Sequence, residues 1–244
     1  MDSKDRRHLV TLREGGELHT HAGVTPHGDV IGQPEGVTVR SGSGARYVVV
    51  RPTLGEFVLA MPRGAQVIYP KDLGALLMLV DVFPGARILE AGVGSGALSI
   101  ALVRAGAAVI GYEIRPDFSA TAQKNVGAFV PSAAGAYRVE ERDVYDGIDE
   151  TELDRIVLDL PEPWRVVKHA QTALRSGGIF VAYLPSITQV SQLREAIDAS
   201  PFSLASTIEV LHRSWHVQGQ SVRPDHRMVA HTGFLTSARL MHVE

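Results

Sequence analysis

The sequence has no cysteine. That absence removes disulfides, thiolate nucleophiles, cysteine-ligated zinc and iron–sulfur clusters from its chemistry, and makes a reducing cytoplasm the simplest expectation. Long apolar runs are missing too. Nothing approaches the roughly 20 residues that cross a bilayer, and the N-terminal MDSKDRRHLVTLREGGE carries no apolar signal region. A soluble, unexported protein without membrane contact is expected. An excess of basic charge is also lacking. With 24 Lys+Arg against 27 Asp+Glu the formal net charge is −3, which argues against a free basic tail gripping nucleic acid by charge alone and leaves room for a local patch. No internal repeat or low-complexity tract stands out.

What the chain does have is core-forming material. Its 244 residues are 45% hydrophobic and 21% charged, enough to bury a sizeable core in one large domain, or in one domain with a small appendage. Residues 1–66 are punctuated by Gly15, Gly16, Gly23, Gly28, Gly32, Gly36, Gly42 and Gly44, with short pieces such as 37–40 and 47–51 between them. That spacing suits short strands joined by tight turns, so a small all-β domain is expected over 1–63, with a short helix near 55–61 and a hinge at 62–64. The larger domain is expected over 64–244. A helical pattern over 72–83 stops at Pro84 and Gly85. Strand patterns at 87–90, 108–113, 137–143, 155–160, 178–183, 206–211 and 234–241 then alternate with helical patterns at 97–105, 117–129, 164–173 and 189–199. The alternation predicts an α/β, Rossmann-like layer fold whose early strands are parallel. No helical pattern separates the last two strands, which predicts a terminal antiparallel pair.

The strongest local signal is ARILEAGVGSGALSIALVRAG at 86–106. A buried strand ends at Glu90; Gly92, Gly94 and Gly96 then permit a sharp, close-approach turn into a helix. The unpaired N–H groups at that helix start suit a pyrophosphate or the carboxylate of an amino-acid moiety. No Lys-Ser/Thr follows the glycines, so this is not an ATPase phosphate loop. The next strand ends at Glu113, 21 residues beyond Gly92, where a carboxylate accepts hydrogen bonds from a ribose. Dinucleotide binding and S-adenosylmethionine binding both fit. Asp143, in VEERDVYD, is placed either to meet an adenine amino group or to serve as a helix cap or surface residue. The fourth strand runs into DLPEPW, where Pro161 and Pro163 stiffen a loop between Asp159 and Trp164. Asp159 is suited to orient an exocyclic amine, and Trp164 to stack on a base or simply to pack.

Taken together, these segments closely resemble the class I S-adenosylmethionine-dependent methyltransferases that make N1-methyladenosine at position 58, in the T-loop of tRNA. The resemblance covers almost the whole chain. It rests on QVIYPKD at 66–72, LEAGVGSGALS at 89–99, the strand-end Glu113, DLPEPW at 159–164, and RSWHVQGQSVRPDHRMVAHTGFLTSAR at 213–239. It implies a class I methyltransferase domain behind a small N-terminal β domain, and a homotetramer. It also implies a cofactor site of Glu90, Gly92, Gly94, Ser95, Gly96, Glu113, Asp143 and Asp159. Tyr69, Pro70, Lys71 and Asp72 would lie beside cofactor and target base, with Pro161 and Trp164 completing the base pocket, and Asp159 and Tyr69 serving catalysis. Ser99 stands where many of the family carry Thr, retaining the hydroxyl.

RNA contact has to come from local patches. Residues 71–208 carry a net charge of −5, while 1–70 and 209–244 each carry +1. Arg40, Arg46 and Arg51, with Arg6, Arg7 and Arg13, are the N-terminal candidates, and Arg213, Arg223 and Arg227 the C-terminal ones, each equally suited to an ordinary solvated face. His19 and His21 share a strand face without the remaining ligands of a zinc site, so no metal is expected. Two rival readings remain: an NAD-dependent oxidoreductase, because GVGSGA also fits G-x-G-x-x-A, and a noncatalytic RNA-binding module that has kept a cofactor fold.

Overall fold

The structure is a computed structural model that describes residues 1–2, 6–64, 66–133 and 135–242. Contacts divide the chain into two compact units, Met1–Met61 and Pro62–Glu244.

In the first unit the glycine punctuation produces two hairpins. Strand β1 (Glu17–Thr20) pairs antiparallel with β2 (Gly23–Pro26), and β3 (Thr38–Arg40) with β4 (Arg46–Val48). Helix α1 (Leu54–Ala60) follows, opened by a reciprocal capping box between Thr53 and Glu56. Val39, Tyr47, Phe57, Val58 and Met61 form its small core, and the Tyr47 and Thr20 hydroxyls bond at 2.7 Å. The third and fourth strands are shorter than the expected 37–40 and 47–51.

The second unit opens with helix α2 (Pro70–Val80), continues with β5 (Arg87–Ala91), α3 (Ala97–Arg104), β6 (Ala108–Glu113), α4 (Pro116–Phe129) and β7 (Tyr137–Glu141), then β8 (Leu153–Leu158), α5 (Val167–Ala173), β9 (Leu174–Leu184) and α6 (Ile187–Asp198). It ends with β10 (Phe202–Glu209), a hairpin of β11 (Trp215–Gln218) and β12 (Ser221–Pro224), and β13 (Phe234–Leu240). Seven strands form one sheet in the order β10-β13-β9-β8-β5-β6-β7. β7, β6, β5, β8 and β9 run parallel; β13 lies antiparallel between β9 and β10. The expected Rossmann-like sheet with a terminal antiparallel pair is therefore present. Its centre is dry: all of β5 but Arg87 and all of β8 but Asp154 are buried, because both faces are covered and the strands are near-continuous apolar runs. Tyr112, Phe180, Leu89, Ile156 and Leu184 fill one side of the sheet.

Several boundaries differ from the sequence reading, for local reasons. Helix α2 begins at Pro70, suited to the first helical position, and ends at Asp81, which adopts φ 50° three residues short of Pro84. The expected helix 164–173 is split into a single 3-10 turn (Pro163–Val166) and α5, and β9 starts at once at Leu174. β7 stops at Glu141 and β8 at Leu158, leaving Asp143 and Asp159 on the loops that follow. β10 begins at Phe202, with a bulge between Ser203 and Ser206 that puts Leu204 at φ 56°. The β11–β12 hairpin was not expected as an element. None of the described helices is long and apolar enough to cross a membrane.

Candidate active site

Strand order reverses between β5 and β8, and an open α/β sheet binds its ligand in the crevice outside such a switch point. The residues at that edge follow from the backbone. After β5 the chain turns through Gly92, Gly94 and Gly96 at φ 82°, 54° and 85°. Gly92 also has no space for a side chain, since a Cβ there would lie 2.1 Å from the Asp159 carbonyl oxygen, and at Gly96 a Cβ would be tight, 3.1 Å from Ala122 Cα. The Asp159 N–H donates to Ala91 O at 2.9 Å. The glycine turn and the acidic loop are thus held together by main chain alone, and Asp159 is delivered beside the turn.

A cleft there is lined by Glu90, Gly92, Gly94, Ser95, Asp159 and the 66–68 stretch. Two carboxylates, Glu90 and Asp159, line it, and a third, Glu113, bonds the glycine turn. Glu90 is buried and accepts a hydrogen bond from Ser99 Oγ at 2.6 Å, and Tyr137 Oη donates to Ser99 Oγ at 3.2 Å. Burial pushes the Glu90 carboxyl up to about 8; the Ser99 bond opposes that rise and the charges of Asp159 and Glu113 add to it. Glu113 accepts the Gly94 N–H at 2.9 Å and the Arg115 N–H at 3.1 Å, which fastens the end of β6 to the glycine turn. Asp159 has no side-chain hydrogen bond or ion pair among the described residues, and desolvation pushes it up to about 7. Ser95 Oγ is buried and without a hydrogen-bond partner among the described residues. A partner-free carboxyl at Asp159, the two anchored acids Glu90 and Glu113, an orphaned hydroxyl and a glycine turn fit a cofactor that carries positive charge together with hydroxyl and amine groups.

The YPKD segment approaches the same edge. Tyr69 caps α2, and Pro70 occupies its first position. Lys71 and Asp72 do not face open space, which corrects their placement in a base pocket. Lys71 Nζ donates to Asp72 Oδ1 (2.8 Å), Val210 O (2.6 Å) and Thr232 Oγ1 (2.6 Å), while Thr232 donates to Asp72 Oδ2 at 2.6 Å. Every donor of the ammonium is used. This buried cluster ties the start of α2 to the segment before β13 and so fixes where Tyr69 begins its helix. Gly233 completes the tie, since a Cβ there would lie 2.5 Å from the ring of Tyr183. Tyr183 was missed by sequence reasoning. It stands one residue beyond the Leu158–Ala182 pair, beside Asp159, and its hydroxyl donates to Thr232 O at 2.6 Å. Burial pushes it up to about 12, and the neighbouring charges of Asp72 and Asp159 add to the rise. Its signal was available: GIFVAY is an apolar strand ending in a polar aromatic at the ligand edge.

Other expected residues fall elsewhere. Trp164 packs on the hydrophobic core and lines a groove with Tyr145 and Arg165, not the cleft of Glu90 and Asp159. Asp143 stands on the loop after β7, where one carboxylate oxygen, Oδ1, accepts the Tyr145 N–H at 2.9 Å. Pro161 O accepts from Gln189 Nε2 at 2.9 Å, which pins the acidic loop to α6. Arg40 and Arg46 are cross-strand partners on the exposed side of β3 and β4, and Arg51 lies 4.0 Å from Glu35. Arg6 and Arg7 pair with Asp2 and Glu56, and Arg13 lies outside the named strands. Arg213, Arg223 and Arg227 are exposed in and around the β11–β12 hairpin. His19 pairs with Glu17 at 3.0 Å and His21 contacts Arg6 at 2.6 Å. Among the described residues no group of three or more His, Asp or Glu is placed to hold a metal ion.

The antiparallel β13, inserted between β9 and the edge strand β10, departs from the six-stranded parallel order of dinucleotide-binding sheets, which disfavours the NAD reading. Comparison with known proteins agrees. A family profile described as "tRNA methyltransferase complex GCD14 subunit" matches residues 46–223, and one described as "TrmI-like N-terminal" matches residues 1–39. The chain is 41% identical to the tRNA (adenine(58)-N(1))-methyltransferase TrmI of Thermus thermophilus, over 98% of this chain and 94% of that protein. A solved S-adenosylmethionine-dependent O-methyltransferase of Thermotoga maritima matches with a TM-score of 0.93 at 31% identity, covering 100% of this chain and 92% of the other. The tRNA (m1A58) methyltransferase TrmI of Aquifex aeolicus matches with a TM-score of 0.83 at 31% identity, covering 98% and 94%. With both units matched and the cleft built for a cationic cofactor, the chain belongs to the TrmI family of S-adenosylmethionine-dependent tRNA methyltransferases.

Proposed function

We propose that this chain methylates N1 of adenine 58 in the T-loop of tRNA, with Asp159 as the residue that handles the target base. The observation that carries the role of Asp159 is its isolation: a desolvated carboxyl, free of hydrogen-bond and ion-pair partners among the described residues, held against the cofactor turn. S-adenosylmethionine supplies an electrophilic methyl group on a cationic sulfur. Adenine N1 already presents a lone pair at neutral pH, so the protein needs alignment more than a strong base. Asp159 accepts the 6-amino N–H and offsets the positive charge that develops on the purine, a service that gains strength in a water-poor cleft. Tyr69 and Tyr183 border the base, which must leave its stack to reach this edge. Glu90, Glu113, Ser95 and the turn N–H groups hold the cofactor.

Assembly as a homotetramer, implied by the family resemblance, is proposed as well. It is supported by the β11–β12 hairpin, whose paired Val217 and Val222 are 71% and 59% exposed beside Trp215 at 58%, an apolar face that a second subunit would cover. The test of Asp159 is methyl transfer to unmodified tRNA by the Asp159→Ala variant. Turnover should fall at least about 100-fold, while cofactor affinity changes far less; wild-type turnover would remove the assigned role.

A further inference from the structure

Outside the cleft, a groove of about 420 Å3 in the second unit runs along α5 toward the end of α6. Its lining is unlike the acidic segment around it. Tyr145, Trp164, Arg165, Lys168 and Gln171 face into it, the walls at Ala196 and Ala199 are small, and no carboxylate takes part. Arg165 is held in place: its guanidinium lies 4.1 Å over the Tyr145 ring and Nη1 donates to Glu162 Oε2 at 2.9 Å. Lys168 is exposed and has no ion pair or hydrogen bond among the described residues. The groove is also rigidly joined to the cleft. The Glu162 N–H donates to Tyr145 Oη at 3.1 Å and Gln189 Nε2 to Pro161 O at 2.9 Å, so the short loop from Asp159 to Trp164 is fixed at both turns. Five residues of chain reach at most ~17 Å, about five base steps of a nucleic-acid strand.

We propose that this groove binds the sugar–phosphate backbone of the substrate RNA beside the target nucleotide, with Lys168 and Arg165 on phosphate and Gln171 supplying hydrogen bonds. Two cations on an aromatic floor, without a lining acid, suit a phosphodiester, and the fixed loop sets its distance from Asp159. In a segment of net charge −5 such a site gives local geometry the task that bulk charge does not perform. The inference rests on the tRNA reading above, but its test reads binding and needs no methyl transfer. Unmodified tRNA is titrated against wild type, Lys168→Glu, Lys168→Arg and Gln171→Glu over a range of salt, with S-adenosylmethionine affinity and particle mass measured in parallel. Lys168→Glu should weaken tRNA binding about fivefold to tenfold near 0.1 M salt and lower the salt slope by about one. Lys168→Arg should restore both, Gln171→Glu should weaken binding in the same direction, and cofactor affinity and mass should not move. Unchanged tRNA affinity and slope in Lys168→Glu would overturn the proposal. A change in particle mass would also overturn it, assigning the groove to a second copy of the chain. Tight tRNA binding without methylation by wild type would instead fault the catalytic reading alone.

Discussion

Replacing Glu90 by Gln should make the protein more stable at alkaline pH while damaging its cofactor site. The carboxyl is buried, with Ser99 Oγ its hydrogen-bond donor, and burial lifts it from the ordinary 4.5 to about 8. A raised carboxyl binds its proton more tightly in the folded chain than in the unfolded one. Its stability contribution is therefore complete below pH 4.5 and is lost as pH rises through 8. At about 1.4 kcal/mol per unit, that loss is about 1 kcal/mol at pH 5 and about 4 kcal/mol at pH 8. Glutamine keeps an acceptor for Ser99, carries no charge, and adds an amide N–H2 whose unmet hydrogen bonds cost about 1–2 kcal/mol. The variant should thus be slightly less stable than wild type at pH 5 and about 2–3 kcal/mol more stable at pH 8. At roughly 2–4 °C per kcal/mol for a chain of this size, its melting temperature relative to wild type should shift upward by about 6–12 °C between the two pH values. Thermal unfolding followed by circular dichroism at pH 5 and pH 8 measures this directly. A difference that stays constant with pH would refute the reasoning, because it would mean that Glu90 titrates alike in the folded and unfolded chain. Weaker S-adenosylmethionine binding in the more stable variant would show stability given up at the site for function.

Three further outcomes follow from the same edge of the sheet. The rate at limiting tRNA should rise with pH and level off above about 7, where Asp159 becomes ionised; a profile flat from pH 5.5 to 8.5 would deny its carboxylate a part. Gly233→Ala should cost about 1–3 kcal/mol in a urea titration, because the new methyl lies 2.5 Å from the Tyr183 ring. Tyr183→Phe, which loses only the 2.6 Å bond to Thr232 O, should cost about 1 kcal/mol; equal costs for the two would show that the ring has room to move. Lys71→Met leaves a buried Asp72 with Thr232 as its remaining side-chain partner and should destabilise by about 3–5 kcal/mol, whereas a loss under 1 kcal/mol would show that water reaches the cluster.

The parallel core was legible because its strands are apolar runs between helical periods, and Gly92, Glu113 and Asp159 were legible because a ligand edge demands those residue types there. Side-chain direction was not legible. Trp164 follows a rigid Pro-Glu-Pro segment, and nothing in that local sequence announces that the indole packs on the core. Asp143 illustrates the same limit: spacing placed it near the edge but did not show the local bond in which its Oδ1 accepts the Tyr145 N–H. The Lys71–Asp72–Thr232 cluster joins residues about 160 positions apart, a pairing that no local period announces. The β11–β12 hairpin escaped notice for a different reason. Its strands are four residues each and its apolar face has no cover within the chain, so burial gives no pattern to read.

The most direct test of the central claim is the identity of the methylated atom. Unmodified tRNA incubated with the wild-type protein and methyl-labelled S-adenosylmethionine is digested to nucleosides, and the labelled nucleoside is identified by mass and chromatographic position and mapped along the tRNA. The account predicts N1-methyladenosine at position 58, lost in Asp159→Ala. Label on a ribose oxygen, on a base other than adenine, or only at other positions would contradict it.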